Sequence, residues 1–241
     1  MKTLHALIFD VDGTLADTER DGHRIAFNLA FAEHGLDWDW DEDLYGELLT
    51  VTGGKERIRY FAERQAANVA SSPDFNALVA ALHATKTRHY VELVDNGQLP
   101  LRPGVARLID EARASGLRLA IATTTTPENV AALLRATMAP DAMTWFEVIG
   151  AGDVVPAKKP APDIYNWVLE RLGLPPDACL ALEDSENGLA ASLGAGIPTL
   201  ITENKYTHGQ NFAGALAVLP DLGEVTLADI QNHISNQLPD K

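Results

Sequence analysis

Apolar and polar positions change rhythm along the chain. Residues 4–9 form a short apolar run that stops on Asp10, with Gly13 soon after, and read as a buried strand entering a turn. From about Asp17 to Asn96 strand signals vanish and a helical period takes over, predicting helices at 24–31, 58–70 and 75–94. After Pro100 and Pro103 the two rhythms alternate, with strands at 117–122, 146–149, 179–182 and 198–201 and helices at 127–137, 162–172 and 187–193. Such alternation implies parallel crossovers. The expected fold is α/β, a Rossmann-like doubly wound parallel sheet over 1–16 and 97–241, carrying an inserted α-helical unit over 17–96.

Ligands of an open parallel sheet bind beyond the carboxyl ends of its strands, so the residues after each strand are the candidates. They are Asp10 and Asp12, then Thr123 and Thr124, then Asp153 with Lys158 and Lys159, then Glu183, Asp184 and Ser185. Phosphate-ester hydrolysis needs a nucleophile, a proton donor and cations against the phosphoryl oxygens. Asp10 can attack phosphorus and Asp12 can move protons. Asp184, with Glu183, can complete an oxygen shell for Mg²⁺, while Thr123 and Lys159 can hold phosphoryl oxygens.

Composition narrows the partners. The 241 residues carry a formal net charge of −15, which disfavours nucleic acid and anionic membrane surfaces, and an anionic substrate then needs locally concentrated positive charge. No apolar run is long enough to span a bilayer, and the N-terminal run lacks the features of a signal peptide. Cys179 is the one cysteine, which excludes an intrachain disulfide and fits a reducing, cytoplasmic setting.

Plainer readings compete at each position. Asp10-Val11-Asp12-Gly13 could open a calcium loop, but Leu15 interrupts the ligand series and Asp21 stands where a Glu is needed. Thr126 is best read as a helix cap before Pro127. Lys159 alone would be a solvated lysine and Glu183-Asp184-Ser185 alone a helix entrance; their joint placement after successive strands carries the weight. His23 and His34 read as surface or satisfied helix histidines, and Cys179 as a small buried residue.

Phe9-Asp10-Val11-Asp12-Gly13-Thr14-Leu15 resembles the first motif of the haloacid dehalogenase superfamily of phosphohydrolases. Thr123 matches its second motif, Lys159-Pro160 with Ala161-Pro162-Asp163 its third, and Leu182-Glu183-Asp184-Ser185 with Gly188 and Ala190-Ala191 its fourth. The insertion resembles the cap domain of the phosphoglycolate phosphatase and β-phosphoglucomutase branch. Segments 17–24, 52–58 and 158–160 resemble the CbbY-like phosphatases, a group associated with removing sugar bisphosphates, notably xylulose 1,5-bisphosphate, that inhibit Rubisco. The resemblance implies Asp10 as nucleophile, Asp12 as acid and base, and Asp10, Asp184 and the Asp12 carbonyl as Mg²⁺ positions. It also places Glu19, His83 and Lys86 on the substrate.

Gly53, Gly54, Lys55 and Arg57 form a loop able to hold a distal phosphate, so a sugar bisphosphate is the expected substrate. A phosphomutase or a phosphoglycolate phosphatase is the alternative outcome. The Lys158-Lys159 pair leaves open which amine faces the phosphoryl group, and Lys-Pro selects Lys159. The expected partner is a small phosphorylated sugar, with a monomer favoured.

Overall fold

The structure is a computed structural model that describes residues 3–237; Met1 and Lys2 of the N-terminal run lie outside the described residues. Among the described residues six parallel strands run in the order β3-β2-β1-β4-β5-β6. They are β1 (Ala6–Phe9), β2 (Arg118–Ala122), β3 (Val148–Gly150), β4 (Cys179–Glu183), β5 (Thr199–Thr202) and β6 (Ala217–Leu219). β1 lies at the centre, with Phe9 in register with Ile121 on one side and Leu182 on the other.

Continuous apolar runs suit strands covered on both faces, and the pleat sorts their side chains into two cores. Leu7, Phe9, Leu119, Ile121, Leu180 and Leu182 point to one face, where they meet helices α6 (Val105–Ala114), α7 (Pro127–Thr137) and α10 (Leu227–Gln237). Ala6, Ile8, Ala120, Ala122, Cys179 and Ala181 point to the other, against α8 (Asp163–Leu172) and α9 (Glu186–Gly194). Each buried Leu, Ile or Phe contributes on the order of 2 kcal/mol, which fixes the register.

Between β1 and α6 the chain is helical. A π-helical turn (Glu19–His23) runs into α1 (Arg24–Glu33), followed by α2 (Glu42–Leu48), α3 (Gly54–Gln65), α4 (Ala67–Ala70) and α5 (Phe75–Asp95). Phe27, Phe31, Trp40, Tyr45, Ile58, Phe61 and Leu82 build an aromatic-rich core of its own, joined from the sheet side by Tyr206. The outgoing and returning segments meet where Ala16 pairs with Leu101, and Arg102 N donates to Leu15 O at 2.8 Å.

Several expectations shift. The helix expected over 58–70 begins at Gly54 and breaks at Ala66, whose φ of −139° is not helical. The strand expected at 146–149 is Val148–Gly150, because 3₁₀ turn Ala142–Trp145 consumes the chain before it. α2, α6, β6 and α10 were not expected; β6 has half-exposed flanks and an outward Val218, so it lacks the apolar signature of the inner strands. Among the described residues no helix is long and apolar enough to cross a membrane.

Candidate active site

Asp10 N donates to Leu182 O at 3.0 Å, so the aspartate leaves the sheet one position beyond β1 in step with β4. Its Oδ1 accepts from Lys159 Nζ at 2.6 Å, and the same ammonium donates to Glu183 Oε1 at 2.6 Å. Tyr165 OH, from α8, donates to that Glu183 oxygen at 2.5 Å. Lys158 points elsewhere, to Asp153 Oδ1 at 2.6 Å, so Lys159 is the amine on Asp10.

Asp10, Glu183 and Asp184 are all buried and present oxygen atoms within 4.8 Å of one another. Burial lifts Asp10 from 3.8 to about 7 against the pull of Lys159, with Glu183 and Asp12 adding to the rise. Asp184 is raised well above the usual carboxylate range by burial and then by Asp10 and Glu183. Lys159 is held protonated, because Asp10 and Glu183 outweigh its burial. Lys159 donates to two of these three acids, and among the described residues Glu183 Oε2 is buried without a hydrogen-bond partner. This oxygen-rich, under-neutralised cluster fits a hard divalent cation.

Gly13 is required beside it. Its φ is +85°, and a Cβ there would stand 2.1 Å from Asp184 Oδ2 and 2.7 Å from Asn204 Nδ2. Gly13→Ala is therefore expected to displace Asp184 and to weaken binding of a hard divalent cation by about tenfold or more, which calorimetric titration of Mg²⁺ checks.

Asp12 faces the helical segment. Its Oδ1 accepts from Thr18 Oγ1 at 2.6 Å and lies 2.8 Å from His23 Nε2. His23 Nδ1 is 2.8 Å from Lys86 Nζ. An ammonium only donates, so Nδ1 accepts and Nε2–H is the donor to Asp12. Burial works to raise Asp12, but His23, Thr18 and Lys86 hold it well below the usual carboxylate range. Burial lowers Lys86 to about 8, resisted by Asp12 and Glu19.

A cleft of about 200 Å³ opens over these groups, lined also by Thr123, Thr124, Glu19 and Arg57. Glu19 Oε2 accepts from Tyr45 OH at 2.5 Å, and Tyr45 OH accepts from Arg57 Nη1 at 2.8 Å, which presents a fixed anion and cation from the helical wall. Thr123 N donates to Gly150 O at 2.9 Å, fixing it at the end of β2, and Thr126 Oγ1 caps α7 as expected by accepting from Asn129 N. Gly53, Gly54, Lys55 and His83 line a second cavity of about 220 Å³, with Thr124, Asp153 and Lys158. Lys55 Nζ there donates to Asp153 Oδ2 at 2.8 Å. Burial, with Lys86 and Lys55, lowers His83 to about 3, so it is a neutral polar group.

His23, which the sequence reads as a surface or satisfied helix histidine, is buried and bonded to Asp12. Asn204, which no sequence signal marks, donates from Nδ2 to Asp184 Oδ2 at 2.7 Å. Arg102 is likewise unmarked in the sequence. Its buried guanidinium donates to the Gly13 carbonyl, to Thr202 O at 2.8 Å, to Glu203 O at 2.6 Å and to Pro220 O at 2.7 Å, tying the Asp12 loop to the Asn204 turn.

A parallel sheet whose central strand ends on a lysine-paired buried aspartate, with an acidic pair on the next strand, defines an aspartate-centred hydrolase. Residues 4–196 match the haloacid dehalogenase-like hydrolases. The chain is 55% identical over 219 residues to protein CbbY of Rhodobacter capsulatus, covering 91% of this chain and 94% of that protein. The crystal structure of CbbY from Rhodobacter sphaeroides in complex with phosphate matches with a TM-score of 0.89 at 48% identity, over 95% of this chain and 100% of that one. The structure of the D10N mutant of the same protein in complex with xylulose-(1,5)bisphosphate gives 0.87 at 47% identity, over 94% and 99%. The chain belongs to the haloacid dehalogenase-like hydrolases and, within them, to the CbbY-like phosphatases.

Proposed function

We propose that this chain is a magnesium-dependent phosphatase that hydrolyses a sugar bisphosphate, with xylulose 1,5-bisphosphate the foremost candidate, through a phosphoaspartate on Asp10. The observation that carries it is the buried Asp10 held 2.6 Å from Lys159 inside the acidic cluster. Residues 1–16 and 97–241 act as the catalytic core and 17–96 as a cap. Asp10, Asp184 and the Asp12 carbonyl, with Glu183, would hold Mg²⁺, which when bound supplies positive charge against the phosphoryl oxygens.

Asp10 attacks phosphorus and the ester bond to the sugar oxygen breaks, that oxygen taking a proton from Asp12. Asp12 then takes a proton from the water that attacks the phosphoaspartate, which frees phosphate and restores Asp10. The contacts from Thr18 and His23 hold Asp12 in its base form, and leaving them favours the acid form needed first. Lys159 and Thr123 steady the phosphoryl group, Glu19 and Arg57 meet the sugar, and Lys86 and His83 close the wall beside them. Gly53, Gly54, Lys55 and Thr124 border the second cavity, which suits a distal phosphate. In this reading the protein works as a monomer and in a reducing, cytoplasmic setting, where its single cysteine stays a thiol.

The test is phosphate release across sugar mono- and bisphosphates, including xylulose and ribulose 1,5-bisphosphate. Turnover is expected to favour a bisphosphate, to vanish with chelator and to return with Mg²⁺. An isomerised sugar phosphate with no free phosphate would replace this reading by a mutase.

A further inference from the structure

The turn after β5 is held by one residue facing two ways. Asn204 Nδ2 donates to Asp184 Oδ2 at 2.7 Å, while Asn204 Oδ1 accepts from Tyr206 N at 2.9 Å. Asn204 N donates to Thr207 Oγ1 at 2.9 Å, and His208 N closes on Asn204 O at 2.9 Å. With Thr207 N also on Asn204 O at 3.1 Å, five bonds around one residue make the turn stiff, so the Asp184 carboxylate and the Tyr206 backbone move together.

Tyr206 carries the turn across to the other wall. Its ring meets Tyr45 edge-on with centroids 6.1 Å apart and joins the aromatic core of the helical segment. It lies so close to α2 that a Cβ on Gly46 would come within 3.1 Å of it. Tyr45 is the residue whose hydroxyl binds both Glu19 and Arg57. A continuous packed path therefore runs from Asp184 through Asn204, Tyr206 and Tyr45 to Glu19 and Arg57. Among the described residues the Tyr206 hydroxyl is buried and has no hydrogen-bond partner, so the ring is the part in use. The neighbouring Lys205–Glu42 pair, at 2.5 Å, is exposed and adds little.

We propose that Tyr206 is a positioning residue that ties the acidic centre to the Glu19–Arg57 wall, so that cation binding at Asp184 and sugar binding in the cleft both depend on the placement of one ring. The inference rests on the reading in which Asp184 helps hold Mg²⁺ and Glu19 and Arg57 meet the sugar.

The experiment titrates Mg²⁺ calorimetrically, without substrate, into the parent, Tyr206→Phe and Tyr206→Leu, and compares KM for xylulose 1,5-bisphosphate with KM for p-nitrophenyl phosphate, which has no sugar. Tyr206→Phe is expected to match the parent throughout. Tyr206→Leu is expected to bind Mg²⁺ about fivefold more weakly and to show a KM for the bisphosphate raised about tenfold, with KM for the aryl phosphate within about twofold of the parent. Unchanged Mg²⁺ affinity in Tyr206→Leu overturns the proposal, as does equal impairment of Tyr206→Phe or an equal rise in both KM values. Should Tyr206→Leu fail to fold, Gly46→Ala presses on the same ring from α2 and is expected to shift both ligands in the same direction; no shift there overturns the proposal. A parent that binds Mg²⁺ but leaves the bisphosphate untouched refutes the proposed substrate, and the calorimetric comparison still decides whether the ring supports the acidic centre.

Discussion

Replacing Asp10 with Asn is expected to abolish phosphate release while leaving a folded protein that, without metal, melts higher than the parent at pH 7. The amide keeps an oxygen for Lys159 but cannot attack phosphorus, so loss of turnover should be at least about 10³-fold. The stability gain follows from linkage. Burial raises Asp10 from 3.8 to about 7, so its proton favours the folded state. That contribution is fully present below about pH 4 and is lost as pH rises through 7. The metal-free parent should therefore lose stability between pH 4 and 7, and Asp10→Asn should flatten the slope. A gain of 1 kcal/mol corresponds to about 3 °C in a chain of this size. Scanning calorimetry with chelator from pH 4 to 8 measures the slope, and phosphate assay measures the chemistry. A variant with parental turnover would refute the nucleophile.

Lys159→Met should have the second largest effect and the opposite sign on stability. The ammonium lies 2.6 Å from both Asp10 and Glu183, with a side chain only 5% exposed. Removing one member of a buried ion cluster typically costs about 3–5 kcal/mol, because the stranded charges stay desolvated. The melting temperature at pH 7 should fall by about 10 °C or more. Much of that should return at pH 5, where the stranded carboxylates take up protons, and part should return on adding Mg²⁺ at pH 7. Turnover should fall about 10²- to 10³-fold, since a fixed positive charge is lost from the phosphoryl site. Lys158→Met is the control. Its partner Asp153 is 66% exposed, so stability should change by less than about 1 kcal/mol.

The residues of the acidic centre were legible because each ends a strand or follows one closely. An apolar run stopping on Asp10 and another stopping on Glu183-Asp184 are local signals, and strand alternation brings them to one edge. His23 gave no such signal. Its partners lie 11 and 63 positions away, and a histidine in a helical pattern looks the same whether it faces water or Asp12. Asn204, 20 positions from Asp184, sits in a polar turn of ordinary composition, and Arg102 finds its acceptors only when four segments converge. The break at Ala66 is also set by tertiary packing, since alanine favours helix. Lys55 and His83 face a separate cavity whose far wall is the turn between β2 and α7 and the segment after β3, a placement that periodicity does not encode.

The pairing of Phe9 with Leu182 makes the centre of the sheet a gauge. Asp10 and Glu183 are the next positions on two adjacent strands in register, whose separation is set by backbone hydrogen bonding at about 4.8 Å. Sliding either strand by one residue would turn its acid to the opposite face and bury a leucine or phenylalanine wrongly, so the separation of these carboxylates has no intermediate settings. Divergence within such a frame is channelled: the distance between reacting groups is locked, and substrate range is free to drift through side chains that descend onto the sheet from the helices above it.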